Sequence, residues 1–173
     1  MLRTARLAFS AVVLLAACAP GATGAPPRTA QHEMLGKPVE LSLPTDRGQL
    51  GALPAAGAGV TVADFFGPKC APCAQKLPAL HAKRAEIEAL GGKLVLVGVL
   101  ADSETTDDAR RALASWGVGG APFLVDSGDA SKREAGVRAL PTTLVLDAKG
   151  VVRWVAPADA TAADVVAAVG AAR

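Results

Sequence analysis

Asp64-Phe65-Phe66-Gly67-Pro68-Lys69-Cys70-Ala71-Pro72-Cys73 is the stretch on which the reading of this 173-residue chain turns. Ahead of the cysteines, residues 60–66 are mostly apolar with β-branched members, the pattern of a central strand. Behind them, Leu77, Leu80, Ile87 and Leu90 share one helical face and Gly91-Gly92 ends the run, predicting a helix over residues 73–90. The cysteines therefore stand where a strand hands over to a helix. Unpaired N–H groups and the macrodipole at a helix N-terminus favour a thiolate, which marks Cys70 as the nucleophile. Cys73 lies one turn inward, close enough for a disulfide, and can resolve a mixed disulfide formed on Cys70.

Two cysteines at this spacing also occur in zinc sites, which need four ligands. Beyond the pair the chain offers only Cys18 and two distant histidines, His32 and His81, so no metal site is expected. His32 reads as exposed and His81 as a surface residue of the helix.

Further along, the elements alternate. Residues 39–43 alternate apolar and polar as a half-buried strand should, with turn chemistry in Thr45-Asp46-Arg47-Gly48. Residues 93–100 form a continuous apolar run, the mark of a strand buried on both faces. Thr105 with Asp108 and Thr161 with Asp164 read as helix starts of the capping-box kind. Residues 123–125 read as a short strand and residues 131–135 as a short helix. Two strands, 142–146 and 151–155, flank Asp147-Ala148-Lys149-Gly150, a hairpin signal. Trp116 and Trp154 read as packing residues, and Lys132-Arg133-Glu134 as a solvated helix face. Strands alternating with helices predict an α/β fold around one mixed central sheet.

The N-terminus carries a different kind of signal. Arg3 and Arg6 precede an apolar run, residues 7–17, too short to span a bilayer. It ends in Leu15-Ala16-Ala17-Cys18, which resembles the bacterial lipobox. That resemblance implies a signal peptide over residues 1–17 and lipid on Cys18, and several acyl chains hold a protein on a membrane durably. Ala19 in place of Asp resembles outer-membrane sorting. Residues 18–35, rich in Pro, Gly, Ala and Thr, read as a tether, leaving residues 36–173 as one domain.

Charge narrows the partners. Lysine and arginine exceed aspartate and glutamate by 18 − 16 = +2, and removal of Arg3 and Arg6 leaves 16 − 16 = 0. A neutral domain, in a chain with only four Phe, two Trp and no Tyr in all, has no electrostatic or stacking case for nucleic acid.

From residue 39 onward the chain resembles the thioredoxin superfamily, in its membrane-tethered TlpA/ResA-like branch. Pro78, five residues past Cys73, matches the proline that kinks that family's active-site helix. Leu140-Pro141-Thr142 matches its cis-proline loop, which faces the dithiol and offers backbone to a peptide substrate. Residues 122–137 match the branch's additional strand and helix. The resemblance implies a thioredoxin fold with that insertion and a Cys70–Cys73 disulfide. It implies no cofactor, protein disulfide substrates, a membrane electron donor of thiol-transfer type, and a monomer. It also implies that Asp64 lies beneath the disulfide and accepts the Cys73 proton.

Two departures stand out. Lys69 replaces the usual tryptophan before the first cysteine, removing an aromatic lid and placing a positive charge beside Cys70. The lysine that accompanies Asp64 in thioredoxins is missing from its strand, which reads Leu96-Val97-Gly98-Val99. With Ala71-Pro72 between the cysteines, the motif resembles reducing members of the family, including those acting on apocytochrome c. The alternative is a soft-metal or copper carrier using the same pair, against which stands the absence of any histidine after His81. A peroxiredoxin-like reading lacks the Thr-x-x-Cys arrangement, since Gly67 stands three residues before Cys70.

Overall fold

A computed structural model describes residues 33–173. The basic start, the apolar run, Cys18, Ala19 and His32, and with them the signal peptide and most of the tether, lie outside the described residues. The elements are β1 (Leu41–Pro44), β2 (Leu50–Leu53), β3 (Val60–Phe66), α1 (Ala71–Ala82), α2 (Arg84–Ala89) and β4 (Gly92–Val99). They continue as α3 (Thr106–Ser115), β5 (Phe123–Asp126), α4 (Ala130–Glu134), β6 (Thr142–Asp147), β7 (Val152–Val155) and α5 (Ala162–Ala171). Five strands make a mixed sheet in the order β5-β4-β3-β6-β7, with β3 at its centre. Strand β4 runs parallel to β3 and β6 runs antiparallel to it.

The central position of β3 follows from its composition. All seven of its residues are buried, and a strand covered on both faces needs apolar side chains in both registers. Alternation then sorts them. Ala63 and Phe65 join the core formed with Val39, Leu41, Leu43 and Leu53 of the N-terminal segment, together with Ala135 and Val137 after α4. On the other face Val60 and Val62 meet Leu80, Ile87, Val165 and Val169 from α1, α2 and α5. Phe66 meets Leu77 of α1 and Ala109 and Leu113 of α3. Asp64 lies between Val62 and Phe66 in this second register, so the alternation that builds the core also turns a carboxyl toward the helices.

The two capping boxes are present, with the Thr105 and Thr161 side chains accepting from the Asp108 and Asp164 backbone N–H groups. Each aspartate accepts in return from the threonine backbone N–H. Gly150 takes φ +77° in the β6–β7 turn, and a Cβ there would fall 2.9 Å from the Val39 carbonyl oxygen. The turn therefore needs glycine both for its backbone and for the close approach. The Trp116 ring meets Phe66 edge-on at 6.1 Å, a packing contact. His81 is half-buried on α1, and Lys132, Arg133 and Glu134 are exposed.

Three local features differ from the sequence expectation. The helix over residues 73–90 is two helices, α1 and α2, divided at Lys83. Pro78 lies inside α1 and lacks the N–H that an unbroken helix would use. The Lys83 N–H turns back to the Leu80 carbonyl, a tighter closure that ends α1. Second, residues 39–43 contribute only part of β1, which pairs with the unforeseen β2 in a separate two-stranded sheet. Third, Met34, within the stretch read as tether, packs onto the domain that begins at Gly36. Met34 packs beside the core and against Gly136, and the Gly36 N–H donates to the Val152 carbonyl at 2.8 Å.

Candidate active site

Cys70 is the N-cap of α1, with extended backbone at φ −83° and ψ 97°. Its Sγ accepts from the Cys73 backbone N–H at 3.2 Å, so sulfur does at this helix start what a serine or aspartate oxygen usually does. The first turn of α1 holds no acidic residue, and nothing there competes with a negative sulfur for the positive end of the helix. Cys70 and Cys73 are joined in a disulfide with their Cα atoms 5.2 Å apart. The two sulfurs differ in access: Cys70 is half-buried at the rim, whereas Cys73 is 1% exposed and packed with Phe66, Leu77 and Leu113. Ala71 and Pro72 are exposed beside them.

The Leu140–Pro141 peptide bond is cis. Leu140 is half-buried and packs against the cores on both faces of the sheet. It also approaches the cysteine loop directly, since a Cβ on Gly67 would lie 3.0 Å from Leu140 Cδ1. The Thr142 side chain is buried and its hydroxyl donates to the Ala139 carbonyl at 2.7 Å, which ties the loop to itself. Thr142 thus braces the loop through its side chain.

A cavity of about 290 Å³ opens beside the disulfide. Pro72 and Lys76 of α1, Leu140 and Pro141, and the segment from Ala156 to Thr161 form its walls, and Asp64 lies in it. Asp64 is 4% exposed and accepts a hydrogen bond from the Thr143 hydroxyl at 2.7 Å. Burial pushes its carboxyl up to about 7, because a charge removed from water is destabilised. The Thr143 hydrogen bond and the positive charge of Lys76 pull in the opposite direction and do not overcome burial. A carboxyl poised near neutrality can exchange a proton at ordinary pH.

Lys69 has an acidic partner that the sequence did not reveal. Its ammonium lies 3.5 Å from Glu104 Oε1, and the Glu104 side chain also accepts from the Ala101 N–H. A partnered lysine presents a dipole to Cys70 instead of a bare positive charge, and the Lys69 side chain is 78% exposed, where solvent screens it.

Thr143, Lys76 and Glu104 were not singled out from sequence. Thr143 had a usable signal, because it follows Pro141 by two residues and its strand runs beside β3, where it stands opposite Asp64. Lys76 lies one helical turn beyond Cys73, a spacing that places it on the dithiol's side of α1. Among the described residues, no group of three or more His, Cys, Asp and Glu side chains converges in a way that could hold a metal ion.

A family model described as the AhpC/TSA family matches residues 36–155. The thioredoxin-like protein YneN of Bacillus subtilis (strain 168) is 30% identical over 115 residues, 66% of this chain. That match spans 65% of YneN, slightly under two thirds of its length. Among solved structures, a Chlorobium tepidum protein assigned as a thiol:disulfide interchange protein DsbE superposes with a TM-score of 0.62 at 28% identity. The superposition covers 79% of this chain and 98% of that one. The exposed lipoprotein thioredoxin Etrx1 of Streptococcus pneumoniae superposes with a TM-score of 0.60 at 19% identity, covering 75% and 97%, a likeness of fold alone. The fold is a thioredoxin fold, and β5 with α4 forms the additional strand and helix between β4 and the cis-proline loop.

Proposed function

The chain belongs to the AhpC/TSA family, and from that premise we propose that it is a thiol–disulfide oxidoreductase that reduces protein disulfides outside the cytoplasm. The observation that carries this reading is the asymmetry of the pair: an accessible Cys70 capping a helix and a sealed Cys73 one turn within. Gly67 stands where a peroxiredoxin-like site would have threonine, which favours disulfide over peroxide chemistry.

The reduced Cys70 thiolate attacks one sulfur of a substrate disulfide, and that disulfide's other sulfur leaves as a thiolate. A mixed disulfide between Cys70 and substrate results. Asp64, as carboxylate, takes the proton from the Cys73 thiol. The Cys73 thiolate then attacks Cys70 Sγ, the bond from Cys70 to the substrate breaks, and the second substrate sulfur departs. The substrate leaves with two electrons gained, and the enzyme holds the Cys70–Cys73 disulfide. The cavity beside Asp64 is roomy enough for water to relay the proton. Backbone at Leu140 and Pro141 lies where an extended substrate segment can pair with it.

Pro72 before Cys73 supports the reducing direction by its resemblance to reducing family members. Regeneration requires a dithiol donor in the membrane, and apocytochrome c before haem attachment is a fitting substrate. Insulin-type disulfides should be reduced in the presence of a dithiol. The potential measured against glutathione should fall nearer to about −270 mV than to about −120 mV. A potential at the oxidising end, or no disulfide reduction, would overturn the proposal.

Location is part of the same reading. Leu15-Ala16-Ala17-Cys18 supports lipid attachment at Cys18, with Ala19 favouring the outer membrane where one exists. Among the described residues no helix is long and apolar enough to cross a membrane, and the fold is one that a lipoprotein thioredoxin also uses. Mass spectrometry of membrane fractions should find acyl groups on an N-terminal Cys18. A soluble mature form starting at another residue would rule this out.

A further inference from the structure

The cavity beside the disulfide contains two formal charges among its lining residues, Asp64 and Lys76. Lys76 is exposed and lines the cavity, with its ammonium donating to the Ala158 carbonyl in the segment between β7 and α5. On the neighbouring strand the lysine, Lys93, stands opposite Thr61, and Leu96, not a cation, stands opposite Asp64. The other elements packed around it supply Thr143 from β6 and Thr161 and Val165 from the α5 side, none of them charged. Helix α1 carries the titratable Cys73 as well as Lys76.

We propose that Lys76 is a positioning residue: held at the cavity rim by the Ala158 carbonyl, its ammonium keeps the Asp64 carboxylate available as proton acceptor. A helix lysine thus does from one side what a strand lysine would do from another. The physical basis is Coulombic attraction between the ammonium at the rim and the buried carboxyl, which favours the ionised form. The direction agrees with the lowering that Lys76 exerts on Asp64 against the larger effect of burial. Because the ammonium is exposed at the rim, added salt should weaken the effect.

This inference rests on the reading of Asp64 as base, so two readouts are needed. In the oxidised protein the cysteines do not titrate, and carbon NMR of the Asp64 carboxyl gives its titration directly. Lys76→Met should move that midpoint upward by about half a pH unit, and Lys76→Arg should restore it. In single-turnover release of substrate from the mixed disulfide, Lys76→Met should slow the step about threefold below the midpoint and leave it unchanged well above. Combined with Asp64→Asn, Lys76→Met should have no further pH-dependent effect. An unmoved Asp64 titration overturns the inference, as does a rate loss equal at every pH, which would mark a structural role for the Ala158 contact. If the titration moves but Asp64→Asn itself leaves release unaltered, the proton-acceptor reading fails and with it the positioning role assigned to Lys76.

Discussion

Cys73→Ser is expected to hold substrates on the protein as mixed disulfides through Cys70, while Cys70→Ser is expected to hold almost none. Both variants should lose disulfide-reducing turnover to the uncatalysed background. The difference in trapping follows from access. Cys70 stands at the helix rim with its sulfur at the positive end of α1, so it reaches a substrate disulfide whether or not Cys73 is present. Cys73 is 1% exposed beneath Phe66 and Leu77, so without Cys70 it has no path to a protein substrate. Serine in place of Cys73 keeps the size of the side chain and the buried packing but cannot break the intermediate. The check is non-reducing electrophoresis after acid quenching, with mass spectrometry locating the linked cysteine. Equal trapping by the two variants would reverse or abolish the assignment of roles.

Asp64→Asn is expected to stabilise the oxidised protein at alkaline pH and to slow resolution of the mixed disulfide. In the folded state the carboxyl titrates near 7, against an ordinary value of 3.8. Between those values the unfolded chain has released a proton that the folded chain retains. Folding stability from this group is therefore full below about pH 4, declines as pH rises, and is lost by the time pH passes the folded midpoint near 7. Asparagine cannot ionise, and it can still accept from the Thr143 hydroxyl. Its advantage should be close to zero at pH 4 and reach about 2–4 kcal/mol at pH 8, a difference that urea unfolding at the two pH values measures directly. An equal gain at both would mean that packing, not charge, drives it. The same variant should slow release of substrate from the mixed disulfide by on the order of a hundredfold near neutrality. Alkylation of Cys70 should be little changed, because its environment is set by the helix start.

These two expectations oppose each other physically. The carboxyl that destabilises the fold above neutral pH is the one proposed to move the proton. A buried acid kept at some cost in stability, with a hydrogen bond from Thr143 and a cation at the rim, is the kind of local conflict that marks a working site.

Much of the architecture was legible because its determinants are local. The strand period of β3, the placement of Cys70 at a helix start, the two threonine–aspartate capping boxes and the Asp147-to-Gly150 turn each depend on a few adjacent residues. Strand β2 was not legible, since Leu50-Gly51-Ala52-Leu53 has neither alternation nor β-branched residues and owes its extended form to pairing with β1. The break at Lys83 was equally hidden, because the apolar spacing of Leu77, Leu80, Ile87 and Leu90 continues across it.

The chemistry of the site divides along the same line. The cysteine pair was legible from its spacing at a helix start, whereas the proline loop and the carboxyl were legible through their resemblance to the thioredoxin pattern. Their electrostatic setting required the folded chain. Thr143 reaches Asp64 across 79 residues of sequence, and Lys76 is anchored by a carbonyl 82 residues away. Lys69 reads in the sequence as a positive charge beside Cys70, and only the loop before α3 brings Glu104 to within 3.5 Å of it. A charge acts through distance and solvent exposure, and neither quantity exists until the sheet has placed β6 beside β3 and the helices have closed over them.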